Sequence, residues 1–70
     1  MLEFISNNVC ALRIDRGVTQ EDLAQAVGVS RQTIIALEKG KYTPSIMLAL
    51  KIAVFFKAPV EKIFTITYEK

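Results

Sequence analysis

The spacing of apolar residues along the chain predicts five short helices. Between the likely breaks, apolar residues recur every three or four positions, which is the period of a helix with one buried face. The breaks fall at Gly17, Gly28, Gly40, Pro44 and Pro59. Glycine and proline at such positions end or start helices. The helices are predicted at about residues 8–16, 20–27, 31–39, 44–56 and 59–64.

Polar residues stand where the first four helices are predicted to begin. A side-chain oxygen at this position accepts a hydrogen bond from a backbone N–H that the helix leaves free. The predicted caps are Asn7, Thr19, Ser30 and Thr43. Asp22 follows Thr19 by three residues, which predicts a reciprocal capping box. Pro44 suits the first position of the fourth helix, where a missing N–H costs nothing.

Four of the helices have a single predicted core face. These inward residues are Val9 and Leu12 in the first helix, Leu23, Ala24 and Val27 in the second, Ile34 and Leu37 in the third, and Val60, Ile63 and Phe64 in the fifth.

The fourth helix is apolar nearly all round, and its only charge is Lys51. Such a helix lies either centrally in a core or against a partner. One apolar stripe comprises Ile46, Ala49, Ile52, Ala53 and Phe56, and a second comprises Met47, Leu50 and Val54. We expect the second stripe to be core, with a dimer contact as the alternative.

The two ends of the chain are predicted strands. Residues 65–69 alternate with a period of two and are β-branched and aromatic, and residues 2–5 are also compatible with a strand. The two can pair, but an isolated two-stranded ribbon is marginal in water. Pairing across a two-fold axis would relieve this. We therefore predict a dimer surface of Leu2, Phe4, Ile66 and Tyr68, with Ile63 and Phe64 beneath it.

Composition narrows the class of protein. The 70 residues make one domain of 7.8 kDa, and 51% of them are hydrophobic. This is more apolar material than a lone small domain easily buries, which favours a partner subunit. There is no His and only one Cys, so a disulfide within the chain, a Cys-rich zinc site and His catalysis are excluded. We expect no enzymatic activity and no cofactor.

Charge placement and the start of the chain point to the cytoplasm. No stretch longer than nine residues lacks a charge, so no transmembrane helix fits. The N-terminus carries Glu3 and no basic region, unlike a signal peptide. We expect a cytoplasmic protein without a membrane partner or a small-molecule ligand.

The second and third helices are separated only by Gly28, Val29 and the predicted cap Ser30. Two short helices joined by a turn of three or four residues that contains glycine are typical of a helix-turn-helix. Glycine allows the left-handed backbone of such a turn without a Cβ clash.

Several ordered blocks then resemble the Cro and phage-repressor-like helix-turn-helix family, also called the XRE family. The blocks are Thr19-Gln20-Glu21-Asp22-Leu23-Ala24, Val27-Gly28-Val29-Ser30-Arg31-Gln32-Thr33-Ile34, Leu37-Glu38-Lys39-Gly40-Lys41, Thr43-Pro44-Ser45 and Ala49-Leu50-Lys51-Ile52-Ala53. The resemblance covers residues 7–64 of a single domain spanning residues 1–70. It implies an all-α five-helix fold, here with a small antiparallel sheet of the terminal strands. It also implies a homodimer that binds a palindromic operator and regulates transcription.

The start of the third helix is the predicted base-reading end. With Ile34 and Leu37 turned inward, Arg31 and Gln32 face outward. Arg pairs bidentately with guanine, and Gln with adenine. In the family, positions matching Arg31 and Gln32 face bases. Ser30 and Thr33 are expected to contact phosphate or a base.

Ile35 departs from the family pattern, in which this position is often polar. It is expected either to contact a thymine methyl group or to be partly covered by the loop after Gly40.

Phosphate contacts are predicted on either side of this helix. Gln20 lies in the first turn of the second helix. The resemblance implies that it positions the protein on the DNA phosphate backbone and supports the third helix. Lys39, Lys41 and Tyr42 follow the third helix. Residues 30–41 carry a net charge of +2, whereas residues 1–29 carry −2.

Arg13 and Glu38 match positions that pair in relatives. We expect a structural ion pair, with a phosphate contact by Arg13 as the alternative. Cys10 is expected to be a small apolar filler, with redox sensing as the alternative.

The leading hypothesis is thus that the protein is a homodimeric repressor that binds an inverted-repeat site in double-stranded DNA. The alternative is a helix-turn-helix protein-interaction module, such as an antitoxin-type partner-binding protein.

Overall fold

Five helices and two strands make up the fold. The computed structural model describes residues 2–69. The elements in chain order are β1 (Leu2–Asn7), α1 (Val9–Asp15), α2 (Gln20–Val27), α3 (Arg31–Glu38), α4 (Ile46–Phe56), α5 (Val60–Ile63) and β2 (Phe64–Glu69). All five predicted helices are present. The terminal strands form a sheet, so the architecture is a helical bundle with an added ribbon and not purely helical.

The caps of α2 and α3 are as predicted. The Thr19 hydroxyl accepts a hydrogen bond from the backbone N–H of Asp22, and the Asp22 carboxylate accepts one from the backbone N–H of Thr19. Ser30 accepts from the N–H of Thr33 at the start of α3. These bonds satisfy donors that each helix leaves free, and they fix where the two helices begin.

The cap of α1 differs by one residue from the prediction. Asn7 still belongs to β1, and Asn8 is the N-cap without a side-chain capping bond. The side-chain oxygen of Asn7 nevertheless accepts from the N–H of Val9 at 3.1 Å. Asn7 therefore serves the helix from one position further out, because the strand extends to the helix start.

The predicted start of α4 is wrong by two residues. Ser45, and not Thr43, is the N-cap, and its hydroxyl accepts from the N–H of Leu48. Pro44 consequently lies before the helix. A residue that precedes proline is disfavoured in helical conformation, which agrees with the position of Thr43 outside the helix. The next polar residue, Ser45, then provides the cap.

Two glycines close α2 and α3. Gly28 has φ 77° and Gly40 has φ 75°, both in the left-handed region where a Cβ is unfavourable. After α3, the N–H of Lys41 bonds to the carbonyl of Ala36, and the N–H of Gly40 bonds to that of Leu37. This is a Schellman motif, and it ends the third helix sharply.

The core lies where α2, α3, α4 and α5 meet around Val9 of α1. The buried apolar residues are Val9, Leu23, Ala24, Val27, Ile34, Leu37, Leu48, Ile52, Ala53, Phe56 and Ile63. The predicted inward residues of α2 and α3 are all among them, while Leu12, Val60 and Phe64 are half-buried. No helix within residues 2–69 has the length and apolarity needed to cross a membrane.

The predicted faces of α4 are partly wrong. Ile46 is exposed, unlike Ile52 and Phe56 of the same predicted stripe, and Leu48, which belongs to neither stripe, is buried. The second stripe of Met47, Leu50 and Val54 is exposed, so it is not core. A helix with almost no polar residues gives no sequence signal for its outer side, and Leu48 in fact lies beside Val27 at the end of α2.

β1 and β2 pair antiparallel within one chain. The register places Leu2 opposite Glu69, Phe4 opposite Thr67 and Ile5 opposite Ile66. The hydroxyl groups of Ser6 and Thr67 lie 2.8 Å apart across the ribbon. At the base of the ribbon, the N–H of Asn8 bonds to the carbonyl of Ile63. This bond ties the ribbon to the start of α1 and the end of α5.

Candidate nucleic-acid interface

The first turn of α3 presents two side chains to solvent. Arg31 and Gln32 are both exposed, while Ile34 and Leu37 of the same helix are fully buried. The Ser30 cap holds the start of the helix, so the two exposed side chains project from a fixed backbone. Their donors and acceptors are the types that pair bidentately with purine edges in the major groove.

Three further residues of the predicted site, Ser30, Thr33 and Ile35, already make contacts within the chain. The hydroxyl groups of Ser30 and Thr33 lie 3.0 Å apart, and that of Ser30 also caps the helix. Ile35 is half-buried, so only part of its side chain remains outside. Ser30 and Thr33 thus hold the shape of this end of α3, and both retain hydroxyl groups within reach of a bound molecule.

Arg13 and Glu38 form an ion pair that joins α1 to the end of α3. The Arg13 Nε atom lies 2.7 Å from Glu38 Oε2, and Nη2 lies 3.2 Å from Oε1. Arg13 Nη1 also donates to the carbonyl of Val18 at 2.9 Å. Both side chains are largely shielded from solvent. The predicted structural pair is present, and it occupies the Arg13 guanidinium.

Gln20 completes this cluster from the first turn of α2. Its side-chain Nε2 donates to Glu38 Oε1 at 3.1 Å. A carboxylate only accepts, so this contact fixes which end of the amide faces Glu38. Gln20 thereby links the two helices of the helix-turn-helix. These three residues, Arg13, Gln20 and Glu38, form a clamp between α1, α2 and α3.

The clamp shifts the pKa of its charged members. Burial alone raises the pKa of the Glu38 carboxyl, but hydrogen bonds from Arg13 and Gln20 and the charge of Arg13 outweigh it, and the pKa is lowered. The hydrogen bond to Glu38 raises the pKa of Arg13 above its ordinary value, against the effect of desolvation. Each group therefore favours its charged form in the folded protein.

The residues after α3 form the predicted phosphate-contacting segment. Lys39, Lys41 and Tyr42 are all exposed. Lys39 is the C-cap of α3, and the Schellman motif orders the backbone as far as Lys41. The basic charge of this segment is therefore carried on a defined backbone at the far end of α3 from Arg31.

A shallow depression lies on the other side, at the start of α2. Gln20 and Arg31 both border it, together with Thr19 and Glu21. The structure thus brings Gln20 and Arg31 to one surface although they are eleven positions apart. Among residues 2–69, no group of His, Cys, Asp and Glu side chains could hold a metal ion.

Two supporting contacts were missed by the sequence analysis. The side-chain amide of Asn7 donates to the carbonyl of Leu37 at 2.9 Å, near the end of α3. Arg16 donates to the carbonyl of Phe56 at the end of α4, and its guanidinium lies 5.6 Å from the centre of the Phe56 ring. Each contact joins residues at least 30 positions apart, and no local pattern announces such a pair.

Cys10 lies half-buried next to the clamp. Its sulfur is 3.7 Å from Arg13 Nη2, a weak hydrogen bond. The side chain therefore has a polar contact in addition to its role as a small filler.

The predicted dimer residues do not form one surface. Residues paired across an antiparallel ribbon share a face, and successive residues alternate between faces. The register places Leu2 and Phe4 on one face, and Ile66 and Tyr68 on the other. All four are exposed, whereas Ile63 is buried in the core and Phe64 is half-buried.

Comparison with known proteins places this geometry in a family. The helix-turn-helix model HTH_3 matches residues 11–63. An HTH-type transcriptional regulator of Methanocaldococcus jannaschii is 57% identical over 60 residues, which cover 86% of this chain and 91% of the relative. The HTH-type transcriptional regulator YgzD of Bacillus subtilis is 46% identical over 65 residues, covering 93% and 98%.

A solved structure agrees over almost the whole chain. The crystal structure of the transcriptional regulator VanUg superposes with a TM-score of 0.77 at 28% identity, covering 99% of this chain and 92% of that chain. The matched region contains α2, the Gly28 turn and α3. The chain belongs to the HTH_3 helix-turn-helix family, the XRE-type family that its sequence motifs resemble.

Proposed function

We propose that this protein is a DNA-binding transcriptional regulator that reads an inverted-repeat operator through α3 as a homodimer, and that it acts as a repressor in the cytoplasm. The observation that carries the proposal is the pair Arg31 and Gln32. Both are exposed on the first turn of α3, and the Ser30 cap and the clamp fix that helix at its two ends.

The arrangement suits a division of contacts between bases and phosphates. Arg31 and Gln32 read base edges, and Lys39, Lys41 and Tyr42 bind backbone phosphates at the other end of α3. Gln20 has its amide nitrogen engaged with Glu38. Its part is therefore chiefly to hold α3 against α2, and the backbone N–H groups at the start of α2 approach a phosphate.

Repression follows from the simplest use of such a module. A 70-residue chain that covers a promoter site excludes other proteins by occupancy alone, with no further surface required. Two copies related by a two-fold axis place their α3 helices in successive major grooves, about 34 Å apart.

The proposal is tested by selecting binding sites from a pool of random duplexes at about 0.15 M salt, where nonspecific binding to phosphates is weakened. The expected product is an inverted repeat with half-sites about one helical turn apart. On a single half-site, Arg31→Ala and Gln32→Ala should each lose about 5- to 150-fold in affinity, because a bidentate base contact contributes about 1–3 kcal/mol. On the full repeat the homodimer makes each contact twice, so the loss of binding free energy should be about double. Each should also relax the preference at one base position of each half-site.

Lys62→Ala is the matched control, since it removes one exposed cation from α5 and leaves α3 intact. It should retain both the affinity and the base preference. Failure of the folded protein to enrich any sequence would overturn the proposal. It would favour the antitoxin-type partner-binding module, for which Arg31 and Gln32 have no reading role.

A further inference from the structure

The outward side of α4 is an exposed aliphatic surface. Ile46, Leu50 and Val54 follow one another at intervals of four, and Met47 lies beside them. Their exposed fractions are 81%, 50%, 76% and 67%, respectively. The opposite side of the same helix carries the buried residues Ile52 and Phe56. The name α4 face is used here for Ile46, Met47, Leu50 and Val54.

The α4 face continues onto the end of α2. Ala26, Val27 and Gly28 line one side of a shallow groove, and the α4 face lines the other. Gly28 begins the turn that leads into Ser30 and Arg31, so the groove lies next to the base-reading end of α3. A second molecule bound in this groove would lie beside the proposed DNA-binding surface and would leave that surface exposed.

The side chains that line the groove favour a second copy of this chain as the binding partner. Lys51 is its only charged lining residue, and Gln25 is the only other polar side chain. Apart from Lys51, this aliphatic surface offers no charge pattern by which a different partner would be selected. It is complementary to an identical face, as an isologous two-fold contact requires.

We propose, on the basis of the homodimer in the proposed function, that the α4 face binds the α4 face of a second copy. In this arrangement the two-fold axis passes close to Leu50. Leu50 packs against its equivalent, and Ile46 of one protomer lies against Val54 of its partner. The ribbon is the weaker candidate because its exposed apolar residues are divided between two faces.

The size of the α4 face predicts a weak dimer. A stable interface of standard size buries about 800 Å² on each partner. The whole accessible surface of the chain is 4870 Å², so such an interface would take about a sixth of it. A helix of 11 residues is about 16 Å long, and one side of it with the end of α2 provides less area than this. The copies therefore associate weakly in solution, and adjacent half-sites on DNA complete the assembly.

The first experiment measures the oligomeric state of the full chain by sedimentation velocity between about 1 µM and 1 mM, a range that detects weak dimers. The wild type should show a monomer–dimer equilibrium. Leu50→Glu should raise the dimer dissociation constant at least about tenfold, because it places two carboxylates at the centre of the contact. Ile66→Glu, which changes a similarly exposed residue of the ribbon, should leave it unchanged.

Both variants alter exposed side chains, and circular dichroism melting checks that each remains folded. A wild type that stays monomeric throughout the range, or a dimer weakened by Ile66→Glu and not by Leu50→Glu, would overturn the proposal. A wild type that grows beyond a dimer would also overturn it, since an isologous contact closes after two copies.

A second measurement tests the geometry directly. Cys10 is the only cysteine, so the double variant Cys10→Ala, Leu50→Cys carries a single thiol at the centre of the proposed contact. It should form a disulfide-linked dimer under mild oxidation, whereas Cys10→Ala, Ile66→Cys should remain monomeric. The reverse pattern would contradict the proposed contact.

DNA binding separates this inference from the proposed function. Leu50→Glu should bind a single half-site as tightly as the wild type and should lose affinity only for the full inverted repeat. Absence of any DNA binding with an intact α4-mediated dimer would reject the proposed function and leave the dimer contact standing. Equal binding of Leu50→Glu and wild type to the full repeat would reject the α4 contact alone.

Discussion

The Arg13 guanidinium meets the Glu38 carboxylate 25 positions away in the chain, with Nε 2.7 Å from Oε2. Both side chains are mostly shielded from water, and each has a further partner, Val18 for Arg13 and Gln20 for Glu38. Three hydrogen bonds therefore join the end of α3 to α1 and α2. A fourth joins Arg13 to the segment between α1 and α2.

Removal of one partner from the Arg13–Glu38 pair should lower the free energy of unfolding by more than that residue contributes to the interaction, because the other charge stays shielded and unpaired. Arg13→Ala leaves Glu38 shielded and without its cation, and Glu38→Ala leaves Arg13 similarly unpaired. We expect each single variant to lose about 2 kcal/mol of unfolding free energy, a cost between those of surface and buried pairs. The double variant should lose less than the sum.

Urea unfolding of the four proteins gives the double-mutant cycle. The coupling free energy should fall in the range of about 0.5–3 kcal/mol expected for residues in contact. The pair Lys57→Ala and Glu21→Ala, from exposed residues outside the clamp, provides a reference cycle with coupling near zero. Additive losses at Arg13 and Glu38 would show that the contact contributes nothing.

The lowered pKa of Glu38 predicts acid sensitivity of the clamp. The carboxyl titrates below its ordinary value of 4.5 in the folded protein. Its contribution to stability is therefore fully present above about pH 4.5 and is lost as the pH falls through the folded pKa. The free energy of unfolding should decline over this acid range.

Glu38→Gln isolates this contribution, because it keeps the shape and removes the titrating group. The difference in unfolding free energy between wild type and Glu38→Gln should be largest near neutral pH and should shrink as the pH falls below about 4.5. Urea unfolding at a series of pH values measures it. A difference that is constant with pH would contradict the pKa shift.

The lysines after α3 should act through salt-dependent phosphate contacts. Lys39→Ala and Lys41→Ala should each weaken binding to all sequences alike and reduce the slope of log affinity against log salt by about one for each half-site bound. Fluorescence anisotropy at several salt concentrations measures the slope. Lys62→Ala should leave it unchanged, and an equal reduction in that variant would indicate a diffuse effect of net charge.

Asn7 should stabilise the end of α3 through its amide. Asn7→Asp keeps the oxygen that accepts from Val9 but replaces the donor to Leu37 with an acceptor. The carbonyl of Leu37 then keeps only the N–H of Gly40 as a donor and faces a negative charge, so a loss of about 1–3 kcal/mol is expected. Thermal and urea unfolding give the value.

Asn8→Asp is the matched control for Asn7→Asp. Asn8 is the exposed N-cap of α1, and its amide also donates to a carbonyl, that of Lys62, at 3.3 Å. The bond of Asn8 is longer and exposed to water, so the variant should lose clearly less stability than Asn7→Asp. A similar loss in both variants would mean that negative charge at the start of α1, and not the bond to Leu37, is responsible.

The sequence predicts best where a local rule acts without competition. Thr19 with Asp22, and Ser30 before Arg31, are capping signals confined to four residues, and both were correct. At the start of α4 the prediction rested on Thr43 followed by Pro44, whereas Ser45, two positions further on, is the cap. The faces of α4 failed for a related reason, because an apolar helix lacks the polar residues that identify its outer side.

The candidate site shows the same limit. The Arg13–Glu38 pair was predicted only because the family resemblance supplied a match between distant positions. The bonds from Asn7 to Leu37 and from Arg16 to Phe56 have no such match. They depend on how the ends of separate helices meet in three dimensions, and the register of the ribbon likewise decides which strand residues share a face.

The ribbon makes the order of folding events asymmetric. β1 precedes every helix and β2 follows every helix, so their pairing closes a loop that contains nearly the whole chain. Closing so long a loop early is entropically costly, whereas contacts such as that between α2 and α3 are local. On a ribosome, β1 emerges before the five helices and stays unpaired until β2 has been synthesised. The helices can therefore assemble while β1 is still unpaired. We expect the ribbon to form last and to hold β1 and β2 together.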